Sequence, residues 1–236
     1  MKTFFKYFVT SACIAAVLAN FSLQGLANET KTYRPPKGKV REQARKAGGS
    51  RGCNIPLDDT VTLLVPQDHT ATTVSPYPTF FWHLSQKLSR PLRFTLLEPG
   101  KKPILTKEIK PKPGVVALKL PRNSAPLEFG KTYRWTVTIV CHKNKPSRNL
   151  FAQAWIERVS LPVEVELFND RTDTSFCISR YARKGIWYDA LACNYQELIK
   201  HPQDSGSSSW QQFQTLLSEI DLTHLARQTH TLYLYQ

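Results

Sequence analysis

Cysteine carries the most reactive chemistry in this chain. Cys53, Cys141, Cys177 and Cys193 follow an apolar leader that holds a fifth, Cys13. In an oxidising compartment four thiols allow three pairings. Cys141 and its neighbour His142 would suit zinc, but no Cys-x-x-Cys occurs and the ligand types are scattered, so disulfides are the better reading. Carboxylates offer less. Asp58–Asp59 and Glu164 with Glu166 stand at expected element starts, where turn and helix-dipole roles suffice. The chain has no phosphate loop, H-E-x-x-H or dinucleotide fingerprint. No catalytic residue, cofactor or metal is therefore assigned, and the chain reads as a non-enzyme.

Charge and aromatic rings supply the remaining candidates. The 236 residues carry a formal charge of +14. By segment it is +6 over residues 28–57, +9 over 58–160 and −3 over 161–236. Lys101, Lys102, Lys107, Lys110 and Lys112, with Lys119 and Arg122, are opposed locally only by Glu108. On an edge strand they would attract an anionic partner, or simply guard the edge against pairing. Trp82, Trp135 and Trp155 suit sugar stacking or core packing, and alternation puts the first two in the core, leaving Trp155 as the candidate contact. His83 points away from Phe80, Trp82 and Leu84 and reads as a surface residue.

The elements that position these residues begin with an export signal over 1–27. Lys2 and Lys6 precede an apolar stretch, and Gly25 and Ala27 set cleavage after Ala27. No second long apolar run exists, so no membrane span is expected after cleavage. Residues 28–57 combine eight basic residues with Pro35, Pro36, Gly38, Gly48 and Gly49, a composition that reads as a flexible basic arm. An exported chain without basic-helix or RNA-recognition motifs is no nucleic-acid binder.

Residues 58–160 alternate in short runs. Strands are expected near 60–65, 79–84, 91–97, 104–109, 115–120, 132–141 and 150–158, an antiparallel β-sandwich. Leu127-x-x-Gly130-x-x-Tyr133-x-Trp135 resembles the entry to strand F of immunoglobulin and fibronectin type III sandwiches, where the tyrosine bonds back to the main chain. Residues 161–236 switch to helical spacing. One helix holds Cys177, Ile178, Tyr181 and Ala182 and stops at Gly185, and a second holds Trp187, Leu191, Tyr195 and Leu198. A third, with Trp210, Phe213, Leu217 and Ile220, opens on a capping box of Ser208 and Gln211. A short last helix is expected around 222–227. Tyr181, Gly185, Ala190 and Pro202 fall at spacings similar to a tetratricopeptide hairpin, packed on or beside the sandwich.

This frame orders the cysteines. Cys177 and Cys193 lie eight residues either side of Gly185, level on adjacent antiparallel helices if that glycine is the tip. Cys141 ends the sixth strand and Cys53 enters the first. The expected bridges are Cys53–Cys141 and Cys177–Cys193.

Taken together, Arg51-Gly52-Cys53, Pro78-Thr79-Phe80-Phe81-Trp82, Gly130-Lys131-Thr132-Tyr133-Arg134-Trp135, Ala154-Trp155-Ile156-Glu157-Arg158-Val159 and the run Gly185-Ile186-Trp187-Tyr188-Asp189-Ala190-Leu191 resemble the family called domain of unknown function 928, known chiefly from cyanobacteria. The resemblance spans about residues 50–225 and implies an exported protein without an assigned activity. Cys177 with Cys193 stands outside the family pattern.

These readings lead to a periplasmic or cell-surface binding or adaptor protein that recognises an envelope protein through the sandwich edge or a helical groove. The rival is an electrostatic binder of anionic envelope polysaccharide, using the arm and the lysines at 101–119. An enzyme with an unrecognised site ranks third.

Overall fold

The computed structural model describes residues 32–36, 41, 43–49, 53, 60–161, 174–200, 206–228 and 231–235. The expected leader at 1–27 and both acidic pairs lie outside the described residues.

Strict alternation shapes one half of the sheet. Strands β5 (Leu92–Leu97), β8 (Thr132–Ile139) and β9 (Leu150–Arg158) bury every second residue. Their antiparallel register sets Leu96 beside Trp135 and Trp135 beside Ala154, so a bulky ring is accommodated by a small neighbour. Tyr133 Oη accepts the N–H of Glu128 at 2.9 Å, which fixes the corner entering β8. Strand β6 (Pro103–Ile109) pairs with β5 and ends this side.

The other half reads differently, because both of its faces are covered. Strands β4 (Thr79–Leu84) and β7 (Gly114–Lys119) are buried almost throughout. Phe80 of β4 meets Phe94 and Trp135 at ring centroids of 5.0 and 5.2 Å, while its neighbour Phe81 meets Tyr195 of a helix at 5.3 Å. The helical layer also corrects the expectation for His83. It shares the parity of Phe81 and is buried, because helices rather than solvent lie over that face.

With β1 (Ala44–Gly49), β2 (Val61–Leu63) and β10 (Leu232–Tyr235), the full order is β10-β7-β4-β2-β1-β9-β8-β5-β6, and β3 (Ala71–Thr73) pairs in parallel with β9. The chain is thus mainly β, a curled mixed sheet resembling a half-barrel, with four helices among the described residues of its C-terminal part. Seven strands fall where alternation places them; β1, β3 and β10 do not.

Strand β1 corrects the reading of residues 28–57 as a flexible arm throughout. It joins the two halves, pairing with β9 on one side and β2 on the other. Arg45 and Ala47 are buried, and Arg45 Nη1 donates to the carbonyls of Ile220 at 2.6 Å and Val65 at 3.4 Å. Main-chain ladder bonds hold a strand that has almost no apolar side chains. Upstream, Thr32 and Tyr33 both donate main-chain N–H groups to the Glu219 carboxylate, each at 2.6 Å, and the Tyr33 ring packs edge-on to Trp187.

Helices α1 (Thr174–Arg183) and α2 (Trp187–Leu198) form the expected hairpin about Gly185. Helix α3 (Ser208–Ser218) is capped one residue earlier than expected, by Ser207, whose Oγ accepts the Trp210 N–H at 3.3 Å. A short α4 (Thr223–Gln228) precedes β10. The disulfides join Cys53 to Cys141 and Cys177 to Cys193, with Cα–Cα separations of 5.7 and 6.2 Å. The first removes Cys141 from any zinc chemistry with His142. No helix among the described residues is long and apolar enough to cross a membrane.

Candidate binding groove

The run from Gly185 to Asp189 seats α2 residue by residue. Gly185 takes φ +74°, which favours glycine, and an added Cβ would stand 2.8 Å from the Arg34 carbonyl oxygen. Its own carbonyl accepts from Thr72 Oγ1 at 2.9 Å. Trp187 Nε1 donates to the Leu64 carbonyl at 2.8 Å. Tyr188 Oη accepts from Trp135 Nε1 at 2.8 Å. The Asp189 carboxylate accepts from Thr73 Oγ1 at 2.7 Å and the Val74 N–H at 3.1 Å. Burial pushes the Asp189 carboxyl up to about 6, although these hydrogen bonds favour its charged form.

Seated in this way, α2 lies over the outer face of β4 and leaves a groove of about 340 Å³. Register explains the floor. Phe81, Ala117 and Leu234 form one row across β4, β7 and β10, and Thr79 with Lys119 form the next row on the same face. Ala192, Tyr195, Gln196, Ile199 and Lys200 supply the helical wall. Ile199 and Leu234 are large apolar side chains at 40% and 43% exposure, unusual beside so well buried a core. Tyr195 is buried against Phe81, and its hydroxyl has no hydrogen-bond partner among the described residues. Burial raises its pKa, so it stays a neutral donor. Lys200 is held by Glu197 at 2.6 Å, whereas Lys119 is exposed and has no ion-pair partner among the described residues.

The structure separates the candidates read from sequence. Lys101 is tied to Glu98 at 2.9 Å in the turn before β6. Lys102 is exposed beside it, and Lys107 is half-buried in β6. Lys110 and Lys112 instead lie beside β10. The Lys110 carbonyl accepts from Tyr235 Oη at 2.9 Å, and Lys112 Nζ sits 4.9 Å from the Tyr233 ring centroid. Trp155 is three strands in from β6, half-buried, with the Arg41 guanidinium 4.6 Å from its ring centroid. The structure therefore does not bring the five lysines and Trp155 into one site.

Sequence reasoning missed Phe81, Ile199, Lys200 and Leu234, and it took Tyr195 as core. The legible signal was Ile199-Lys200, an apolar residue and a cation just past the helical stripe. A second polar cluster is a clasp. Tyr33 Oη lies 2.6 Å from His69 Nε2, and His69 Nδ1 lies 2.7 Å from Asp68 Oδ1. Burial, helped by the charge of Asp68, raises the Tyr33 pKa. The ring of Tyr33 packs on Trp187, which ties residues 32–36 to the start of α2.

No curated protein matches the chain, and no solved structure does. A family model described as Domain of Unknown Function (DUF928) matches residues 46–230, which take in β2 to β9, the seated run and the groove apart from Leu234 of β10. The chain is thus a member of the DUF928 family.

Proposed function

We propose that this chain is an exported, non-catalytic binding or adaptor protein of the periplasm or cell surface that recognises an envelope protein through the groove between α2 and the β4–β7–β10 face. The observation that carries the reading is the groove itself: an apolar floor with exposed Ile199 and Leu234, an unsatisfied buried hydroxyl on Tyr195, and the cation of Lys119 at its rim. Such a mix of apolar area and a few fixed polar groups suits recognition. The two disulfides are compatible with an oxidising compartment. Kinship with immunoglobulin and fibronectin type III sandwiches belongs to the same reading, supported by the Tyr133 corner, as does a tetratricopeptide-like hairpin in α1 and α2.

A second reading, an electrostatic binder of anionic envelope polysaccharide, is favoured by Lys101, Lys102, Lys110 and Lys112, all exposed near the two sheet margins. The two readings differ in their response to salt. Gln196 is exposed and lines the groove, so Gln196→Trp fills it without touching the core. Capture from envelope extract at moderate salt should retain a discrete protein on the unmodified chain and lose it on Gln196→Trp. Retention of acidic polymer alone, lost as salt rises, would select the polysaccharide reading instead.

A further inference from the structure

Resting on the groove reading, we propose that its ligand is an extended peptide of alternating apolar and acidic residues, added as a further strand on the edge of β10 that faces away from β7. The two margins of the sheet are built differently. β6 carries Pro103 and Lys107, with Lys102 just before it and Lys110 just after. Lysine and proline are the ordinary means of keeping an edge from pairing. β10 is Leu232-Tyr233-Leu234-Tyr235 and has neither; among the described residues it pairs only with β7.

This edge is firmly held. An added Cβ on Gly114, at φ +123°, would stand 2.5 Å from the Thr231 carbonyl oxygen, and Val115 N donates to that oxygen at 2.9 Å. Tyr235 and Tyr233 are anchored to Lys110 and Lys112 on one face. Leu234 opens onto the groove on the other. A strand laid beside β10 must alternate in the same way. Its apolar residues would extend the row Phe81–Ala117–Leu234 by one strand, and its acidic residues would face Lys110 and Lys112. Main-chain bonds to a sheet edge with side-chain pockets on alternate residues are an established mode of peptide recognition. The exposed cations Lys110, Lys112 and Lys119 oppose self-pairing of two β10 edges and favour an acidic partner.

The probe is a blocked, fluorescent eight-residue peptide alternating valine and aspartate, titrated against the purified protein. Three controls accompany it, a valine–lysine version and two versions N-methylated at alternate amides, one in each register. The valine–aspartate peptide should bind at least ten-fold more tightly than the valine–lysine version and than the one N-methylated version whose methyls face β10. Lys112→Glu should weaken it several-fold, and Leu234→Lys, which installs the guard found on β6, should abolish it. Equal affinity for the parent and both N-methylated peptides overturns strand addition. Absence of peptide binding, while Gln196→Trp still abolishes capture of the envelope protein, overturns this proposal and leaves the groove reading standing. A concentration-dependent dimer that Leu234→Lys dissolves also overturns it, because a second copy would then occupy the edge.

Discussion

The indole Nε1 of Trp135 donates to the hydroxyl of Tyr188 at 2.8 Å, with both side chains fully buried. Trp135 belongs to the alternating sheet and Tyr188 to the first turn of α2, so this bond joins two regions that local sequence patterns describe separately. Tyr188 also packs edge-on to Phe80, at a centroid distance of 5.9 Å. Tyr188→Phe would keep the ring and leave the indole N–H unsatisfied. A cost of about 1–3 kcal/mol is expected, because an orphaned buried donor forfeits its desolvation energy. Denaturant melts check this. A midpoint within error of the unmodified chain would mean that the bond contributes nothing to docking the helices.

Asp189 should leave a pH signature. Its carboxyl is pushed up to about 6 by burial, against 3.8 for an ordinary aspartate. Between these values the folded chain holds a proton that the unfolded chain has released. The resulting stability is therefore fully present below pH 4 and lost as pH rises through 6, for a total of roughly 2–3 kcal/mol. Asp189→Asn keeps an acceptor for Thr73 or Val74 and removes the titration. The stability difference between the two proteins, followed from pH 4 to 7, should fall on the aspartate side. A flat difference would contradict the assignment.

Gly114→Ala tests how β10 is held. The new methyl would meet the Thr231 carbonyl oxygen at a conformation that side chains rarely adopt. The expected result is rapid hydrogen exchange at 232–235, with β5, β8 and β9 still protected. Because Leu234 is part of the groove floor, ligand retention should fall in the same variant.

The two bridges should differ in worth. Cys53–Cys141 spans 88 residues and Cys177–Cys193 spans 16. Loop-closure entropy assigns about 4–5 kcal/mol to the first and about 3 kcal/mol to the second. Replacing both cysteines of a pair with serine should therefore lower the melting temperature more for the longer loop. A non-reducing peptide map that recovers free thiols would remove the basis for the comparison.

Several parts of this protein were legible from sequence because they depend on near neighbours. Period-two alternation placed β5, β8 and β9, since burial on one face of a strand imprints itself on successive residues. Helical spacing placed α1 to α4 for the same kind of reason. The position of Gly185 between Cys177 and Cys193 was enough to pair them, because the tip of a hairpin levels its flanks. The tyrosine spacing before β8 anticipated the bond from Glu128 to Tyr133. Other features rest on pairing between residues far apart in the chain. β1 is charged and glycine-rich, so nothing in its side chains announces a strand; main-chain hydrogen bonds to β2 and β9 make it one. His83 looked exposed because alternation cannot tell a solvated face from one that a later helix will cover. The groove joins Thr79, Lys119, Tyr195 and Leu234 from four elements, and its floor row Phe81–Ala117–Leu234 exists only once β10 has docked in parallel against β7. Local periodicity is written in adjacent residues, whereas the register of distant strands is settled by tertiary packing, and the candidate site lies there.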